Sequence, residues 1–318
     1  MSFSSEVKEE LSRLSDRDLH CKIAELAAVI NFCGKVSQSS DGRYSIVLHT
    51  ENAAVARHFY SLIKEAFQVQ SGVISDQQDY LKRNRVYMIS VEESAAALHM
   101  LKSTGLLDNL GRINEDHDLL NSPVLKRSCC RRAFLRGTFL ASGSITDPEK
   151  NYHFEITSSS RTLVEQVRDL LQYFGMDAGI VIRKKYYVIY LKEGAMISDI
   201  LSIMGAHISM MKFENIRIVK DVRNTVNRRV NCETANINKT VSAARKQIED
   251  IEYIRNTVGF DKLPGGLKEI AGVRLEEPEA TLKELGEMLD PPVGKSGVNH
   301  RLRKLSRIAQ NIRENGRI

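Results

Sequence analysis

The strongest chemical bias in the sequence is a basic stretch near its carboxyl end. Positions 295 to 317 hold one acid, Glu314, and seven cations, which are Lys295, Arg301, Arg303, Lys304, Arg307, Arg313 and Arg317. Guanidinium groups can bind a guanine edge through two hydrogen bonds, and lysines attract phosphates whatever the base sequence. The chemistry that this stretch supports is binding to double-stranded DNA.

Apolar residues at helical spacing indicate how the basic stretch is positioned. Val298, Leu302, Leu305 and Ile308 predict a helix over 297–312 with one side facing a core. The other side presents the candidate contacts to a DNA groove or to phosphates: Lys295, Asn299, His300, Arg301, Arg303, Lys304 and Arg307. A basic helix that meets only solvent is the alternative interpretation.

The residues before this helix predict a helix-turn-helix. A helix is predicted over 279–289, and the following Asp290-Pro291-Pro292 prevents it from continuing. Ser296 is predicted to cap the next helix and is also a candidate DNA contact.

Residue patterns of the common enzyme classes are missing from the sequence. The eight histidines form no HExxH pair, no GxxxxGK[ST] loop occurs, and Ser142 is not in a GxSxG turn. The five cysteines are odd in number and include no CxxC pair, so neither a disulfide framework nor a zinc site is predicted. We therefore expect no catalytic residue, no metal and no cofactor.

Bulk composition predicts a globular cytoplasmic protein. A chain of 318 residues with 42% hydrophobic residues has room for two or three domains. The net charge of +6 permits nucleic-acid binding. The amino terminus resembles a capped helix rather than a signal peptide, and no apolar run approaches the roughly 20 residues of a membrane span. These features predict a cytoplasmic, nucleoid-associated protein that does not contact a membrane.

Two stretches of the sequence share one design, which indicates an internal duplication. Leu26–Gly34 and Leu135–Gly143 both combine apolar bulk with small residues and end in a glycine suited to a left-handed cap. Gly143 follows Gly34 by 109 positions, and the elements predicted after each have the same order: hairpin, helix, hairpin, helix. Small residues on one helix face, including Ala24, Ala28 and Gly137, predict close packing of the two helices.

The predicted organisation is α+β, with a pseudo-twofold repeat domain followed by an all-α domain. The predicted segments are a first repeat at 1–107, a connector at 108–126, a second repeat at 127–222, a basic linker arm at 223–238 and a helix-turn-helix domain at 239–318. A separate helix is predicted from Thr240. Arg228 and Arg229 of the arm are candidate phosphate contacts, with a solvated loop as the alternative.

These features together resemble the bacterial WhiA family, and the paired helices resemble LAGLIDADG motifs. The likeness covers the opening residues 2–8, both motifs, the arm and the helix-turn-helix. It implies two LAGLIDADG-like repeats joined to a DNA-binding domain, in a transcription regulator of sporulation or cell division.

The resemblance also implies that nuclease activity is lost. LAGLIDADG endonucleases hold divalent metal with a carboxylate at the eighth motif position, and hard cations require such oxygen ligands. Here Cys33 and Ser142 occupy those positions. Asp41, Asp147 and Glu149 are nearby carboxylates, but we expect them in turns. The prediction is a degenerate, non-cleaving domain.

Two further hypotheses remain open at this stage. A metal-dependent DNA endonuclease and a protein-interaction scaffold are the alternatives to a DNA-binding regulator. Basic residues at 82–85 and 183–185 lie in equivalent predicted turns, and they either form an auxiliary DNA or protein surface or only keep the turns solvated. A protein partner of the LAGLIDADG-like domain is therefore possible.

Overall fold

The computed structural model describes residues 2–76, 85–107 and 119–315. The chain divides into two compact units, Met1–Lys220 and Asp221–Ile318. Within the described ranges, every helix is too short or too polar to cross a membrane. The α+β class predicted from the sequence is confirmed, since the first unit mixes helices with strands and the second contains only helices.

The first unit contains the predicted duplication. After α1 (Phe3–Leu11), the first repeat comprises α2 (Leu19–Cys33), β1 (Gly34–Gln38), β2 (Tyr44–Thr50), α3 (Ala53–Phe67), β3 (Gly72–Asp76), β4 (Val86–Val91) and α4 (Ser94–Ser103). The second comprises α5 (Ser128–Ser142), β5 (Gly143–Ile145), β6 (Phe154–Ser158), α6 (Arg161–Tyr173), β7 (Gly179–Arg183), β8 (Tyr186–Leu191) and α7 (Gly194–Met204). A 3-10 turn at Pro123–Leu125 precedes the second repeat.

Each repeat forms a four-stranded antiparallel sheet with the same strand order. The orders are β1-β2-β4-β3 and β5-β6-β8-β7. Equivalent residues are paired: Leu48 lies opposite Ile89 in the first sheet, and Ile156 lies opposite Ile189 in the second. These residues are buried because alternate residues of a strand face the core.

Gly34 and Gly143 connect the motif helices directly to strands, and the predicted left-handed caps are wrong. Their φ angles are −89° and −81°, which is extended backbone. Glycine is required at both positions for a different reason, because the backbone passes so close to the preceding helical turn that a side chain would not fit. A Cβ atom at Gly34 would lie 2.5 Å from the carbonyl oxygen of Ile30, and one at Gly143 would overlap Phe139.

The motif helices α2 and α5 pack against each other at very short range, as the small residues predict. A Cβ atom at Gly137 would lie 2.6 Å from the backbone oxygen of Glu25 and 3.0 Å from Cβ of Ala28. Ala28 and Gly137 are themselves equivalent positions, because the 109-residue offset relates them. The pseudo-twofold axis of the unit therefore passes close to this contact.

A buried ionic network crosses the same helix interface. Glu25 of α2 accepts hydrogen bonds from Nε and Nη2 of Arg136 at 3.2 and 2.7 Å, and the ring Nε2 of His58 lies 2.8 Å from its Oε1. Asp16 also accepts from Arg136. Burial alone would raise the pKa of Glu25, but Arg136 and then His58 outweigh burial and hold this pKa below its ordinary value.

One long helix, α8 (His207–Thr257), contains residues of both units. The predicted linker arm at 223–238 followed by a separate helix from Thr240 is wrong, and so is the alternative of a solvated loop there, because both segments belong to α8. No proline or glycine interrupts the sequence from 207 to 257, and the pairs Arg229–Glu233 and Arg245–Glu249 have the i,i+4 spacing that supports a helix. The helix ends just before Gly259, whose φ is 75°.

The second unit is completed by a 3-10 turn at Phe260–Lys262 and by α9 (Gly265–Glu276), α10 (Leu282–Glu287) and α11 (Lys295–Asn315). Its core consists of apolar side chains from all four helices, and its buried members include Ile254, Leu267, Ile270, Leu285, Leu302 and Leu305. This core packs α9 and α10 against α11.

Replacing Gly137 by alanine should destabilise the protein, because the new Cβ would overlap the backbone of α2. We expect a loss of about 1–3 kcal/mol, typical of overpacking. Gly272→Ala is the matched control, since a Cβ there has no atom within 4 Å in an α-helix. It should stabilise by up to about 1 kcal/mol. Urea unfolding followed by circular dichroism measures both, and equal effects would contradict the packing.

Replacing Glu25 by glutamine should cost about 3–5 kcal/mol, because Arg136 and His58 would lose their buried anionic partner and Arg136 would keep only the partly exposed Asp16. The folded-state pKa of Glu25 is lowered, so its contribution is fully present above the unfolded pKa of about 4.3 and is lost as pH falls towards the folded value. The difference between wild type and variant should therefore shrink below about pH 4.3.

Unfolding at several pH values measures this difference. Glu165→Gln is the control, because Glu165 pairs with Arg161 on an exposed face and its loss should leave stability nearly unchanged. A Glu25→Gln effect as small as that of the control would show that the buried network does not contribute.

Candidate nucleic-acid interface

The helix-turn-helix is held by specific contacts at the start and end of α10. Thr281 and Glu284 form a reciprocal cap at its start, with the backbone N–H of Thr281 donating to Oε2 of Glu284 at 2.7 Å. At its other end the N–H of Val293 donates to the backbone oxygen of Gly286 at 2.9 Å. A Cβ at Gly286 would overlap that turn, so glycine is what allows the turn to close against α10.

Buried Arg274 fixes the connection between α9 and α10. Its guanidinium donates to the backbone oxygen of Ala280 at 2.7 Å and to Oε1 of Gln247 at 2.9 and 3.1 Å. Burial lowers the pKa of this arginine from its ordinary value. The side chain therefore joins α8, α9 and the loop before α10 through hydrogen bonds to neutral oxygens.

Helix α11 has one buried side and one exposed basic side. Val298, Leu302 and Leu305 are at most 1% exposed and Ile308 is half-buried, which confirms the predicted apolar stripe. The opposite side is solvent-exposed and carries Ser296, His300, Arg303, Lys304 and Arg307. We call these five residues the basic face of α11.

The predicted cap of α11 is wrong. The helix begins at Lys295, and the backbone oxygen of Gly294 accepts from the N–H of Val298 at 3.1 Å, so Ser296 lies inside the first turn. Lys295 and Ser296 are both exposed. The backbone oxygen of Gly294 accepts the first helical hydrogen bond, so Gly294 takes the cap position that was predicted for Ser296.

Other predicted contacts of α11 lie at the margins of the basic face or contact other helices. Asn299 and Arg301 are half-buried. Arg301 donates to the backbone oxygen of Gly266 at 3.3 Å and lies 3.8 Å from Glu269. Arg313 pairs with buried Asp250 at 2.8 Å. Two of the seven cations therefore contact other helices of the unit, and Arg317 lies outside the described residues.

Arg228 and Arg229 lie on α8 rather than on a loop. Both are exposed, and Nε of Arg229 lies 3.1 Å from Oε1 of Glu233. A neighbouring carboxylate reduces the attraction of Arg229 for a phosphate, so Arg228 is the stronger candidate of the two.

The side chains at the eighth position of the two motifs form hydrogen bonds with the backbone of their own helices. The Cys33 thiol donates to the backbone oxygen of Val29 at 3.3 Å, and the Ser142 hydroxyl donates to that of Thr138 at 3.5 Å. Burial raises the pKa of Cys33 to about 12. At neutral pH neither group supplies an anionic oxygen or sulfur ligand.

A groove of about 940 Å³ lies at the end of these helices, and Lys8 of α1 extends into it. The groove is also lined by Glu9, Glu51, Arg57 and Arg85. Burial lowers the pKa of Lys8 to about 8, although Cys33 and Glu51 act to raise it. Lys8 therefore brings a half-buried amine to the place where the resemblance puts metal chemistry.

The possible substitute carboxylates lie in turns, as predicted. Asp41 is exposed and bonds Ser39 and Arg43, while Asp147 is exposed and accepts from the N–H of Glu149. None of the three carboxylates is among the described residues that line the groove.

The basic turn at 183–185 is only partly free of other contacts. Arg183 donates to Glu155 at 2.9 Å, while Lys184 and Lys185 are exposed. Lys82 and Arg83 lie outside the described residues.

The structure also brings together four residues that sequence reasoning missed. Ligand atoms of His20, Cys21, Cys129 and Cys130 all lie within 4.8 Å of one another, and the described ranges contain no second cluster of this kind. Burial first, then neighbouring thiols, raise the pKa of Cys21 and Cys130. The 109-residue offset relates His20 to Cys129 and Cys21 to Cys130, and this signal could have revealed the cluster.

Three family models match the chain in succession. Residues 19–107 match the WhiA N-terminal LAGLIDADG-like domain, 131–223 the WhiA LAGLIDADG-like domain and 226–309 the WhiA C-terminal HTH domain. The HTH match includes the complete α9, α10 and most of α11.

Relatives and a solved structure match nearly the whole chain. The probable cell division protein WhiA of Lachnoclostridium phytofermentans is 48% identical over 317 residues, which cover 99% of this chain and 100% of the relative. The protein of the same name from Heliobacterium modesticaldum is 46% identical over 316 residues, covering 99% and 98%. The crystal structure of full-length DUF199/WhiA from Thermatoga maritima matches with a TM-score of 0.60 at 26% identity, covering 98% and 99%. The chain belongs to the WhiA family.

Proposed function

We propose that this protein is a sequence-specific DNA-binding regulator of transcription that acts in cell division or sporulation. The observation that carries the proposal is the basic face of α11, which is exposed on the last helix of a helix-turn-helix domain. Relatives named as probable cell division proteins support a role in cell division, and the family resemblance supports the link to sporulation. A cytoplasmic location at the nucleoid follows from binding chromosomal DNA.

The proposed binding mode places α11 in the major groove. Arg303, Lys304 and Arg307 are exposed and have no ion pair with a described residue, so their cations are available for phosphates and guanine edges. His300 and Ser296 lie on the same face and can donate hydrogen bonds to bases or phosphates. Asn299 and Lys295 border the face and are secondary contacts, as is Arg228 on α8.

Arg301 has a different role in this proposal. Its contacts with Gly266 and Glu269 position α11 against α9, so it orients the basic face before any DNA is bound. Its loss should lower affinity for all sequences by loosening the unit, whereas loss of Arg303 should also change the preference among sequences.

The LAGLIDADG-like unit is proposed not to cleave DNA. The neutral side chains of Cys33 and Ser142, both turned towards their own helices, support this view, as does the amine of Lys8 in the adjacent groove. The unit is then free to serve as a surface for DNA or for a protein partner, with Lys184 and Lys185 among its exposed cations.

Replacing Arg303, Lys304 and Arg307 together by glutamine should abolish sequence preference and weaken binding. If all three contact phosphates, the slope of log affinity against log salt should fall by up to about 2.7, since each phosphate contact contributes about 0.9. Fluorescence anisotropy with duplexes from a genomic binding selection, at several salt concentrations, measures both effects.

The matched control removes the same charge from exposed sites outside α11, with Lys246, Arg255 and Lys262 replaced by glutamine. This variant should keep sequence preference and lose little affinity. Equal losses in the two variants would show that only net charge matters, and unchanged binding in the first variant would refute the proposed face.

Incubation of the protein with supercoiled plasmid carrying a selected site should produce no nicked or linear DNA with Mg²⁺ or Mn²⁺. The physical reason is that the motif positions supply no carboxylate to hold the metal. Gel electrophoresis over hours measures the result. Nicking that chelator abolishes and that is absent from a mock purification would instead support the endonuclease hypothesis.

A further inference from the structure

We propose that His20, Cys21, Cys129 and Cys130 form a binding site for a structural zinc ion. This site lies in the first unit and is separate from both the basic face of α11 and the groove at Lys8. The proposal does not depend on DNA binding.

The four side chains already have nearly the separation that zinc requires. Nδ1 of His20 lies 3.3 Å from Sγ of Cys21 and 3.3 Å from Sγ of Cys130, and all four ligand atoms are within 4.8 Å of one another. Tetrahedral zinc with Zn–S near 2.3 Å and Zn–N near 2.1 Å sets an N···S distance of about 3.6 Å. Small rotations of the side chains would bring all four ligands to one centre.

The fold explains why these residues meet. His20 and Cys21 lie in the first turn of α2, and Cys129 and Cys130 lie in the first turn of α5. The close contact at Gly137 holds the two helices side by side, and the pseudo-twofold axis places equivalent dipeptides opposite each other. Each helix thus supplies two of the four ligands.

The imidazole is also oriented as a metal ligand would be. While Nδ1 of His20 faces the sulfurs, Nε2 lies 3.6 Å from Oδ2 of Asp18. Histidines that bind metals through one ring nitrogen usually direct the other towards a carboxylate or carbonyl, which fixes the tautomer. Asp18 occupies that outer position.

The donor set favours zinc among the available divalent cations. Three sulfurs and one imidazole are typical of closed, tetrahedral structural zinc sites and unsuited to magnesium or calcium. Cys21 and Cys130 are buried, whereas Cys129 is exposed and gives an ion access from solvent. On binding, the three thiols release three protons to solvent and form three Zn–S bonds, and neutral imidazole supplies the fourth bond.

Cobalt substitution of the full-length reduced protein tests the site directly. Co²⁺ should bind at one per chain with thiolate-to-metal absorption and the visible bands of tetrahedral cobalt, and added Zn²⁺ should remove both. Cys21→Ser and Cys130→Ser should lose this absorption, whereas Cys33→Ser and Cys232→Ser should keep it. No thiolate absorption in the wild type, or equal absorption in all variants, overturns the proposal.

A second measurement covers the case in which the buried-cysteine variants fail to fold. Cys129 and Cys232 are the exposed cysteines, so iodoacetamide should modify both in chelator-treated native protein. Zinc should protect Cys129 and leave Cys232 reactive, which intact-mass analysis detects as one adduct instead of two. Equal modification of Cys129 with and without zinc contradicts the proposal, as does a disulfide that holds Cys129 when zinc is present.

Discussion

The first unit depends on the close approach of α2 and α5 at Gly137. Only a residue without Cβ fits there, because Ala28 and the backbone of Glu25 occupy the space that a side chain would need. This contact sets the axis that relates the repeats, and both sheets continue directly from these helices at Gly34 and Gly143. The two ends of the helix pair then have fixed and different chemistry, with the degenerate motif positions at one end and the histidine–cysteine cluster at the other.

The ion pair at this interface is not symmetric, although the pseudo-twofold axis relates the backbones of the two helices. Glu25 and Arg136 pair across the axis, whereas the equivalent positions hold Phe134 and Ala27. Because a buried ion pair requires both partners, this arrangement selects one pairing of the two repeats. The helix pair therefore fixes how the two repeats are arranged, and residues on the outer faces of the sheets can differ between the repeats.

The second unit divides its basic residues between structure and binding. Arg301 and Arg313 hold α11 in place through ion pairs with Glu269 and Asp250, and Arg274 joins α8, α9 and the loop before α10 through hydrogen bonds. Arg303, Lys304 and Arg307 remain on the solvent side. A rigidly positioned basic helix loses little conformational freedom on binding, which favours affinity for a groove.

Much of the fold was accessible from sequence because its signals are local or repeated. The apolar stripe of α11, the duplicated element order and the small residues of the helix interface each follow from spacing. The roles of Gly34 and Gly143 were not accessible, since close approach and left-handed backbone both require glycine and only coordinates separate them. Likewise, Arg301 and Arg303 look alike in sequence, and the contact of Arg301 with Gly266 depends on how α9 packs. His20 and Cys130 are 110 positions apart, so their contact follows only from the repeat axis.

Crosslinking of protein to DNA in living cells, followed by sequencing, tests the central claim most directly. The account predicts discrete peaks upstream of genes for the wild-type protein, with one shared sequence, and loss of those peaks when the basic face of α11 is neutralised at equal protein abundance. Absence of enrichment in the wild type, or identical peaks in the neutralised variant, would contradict it.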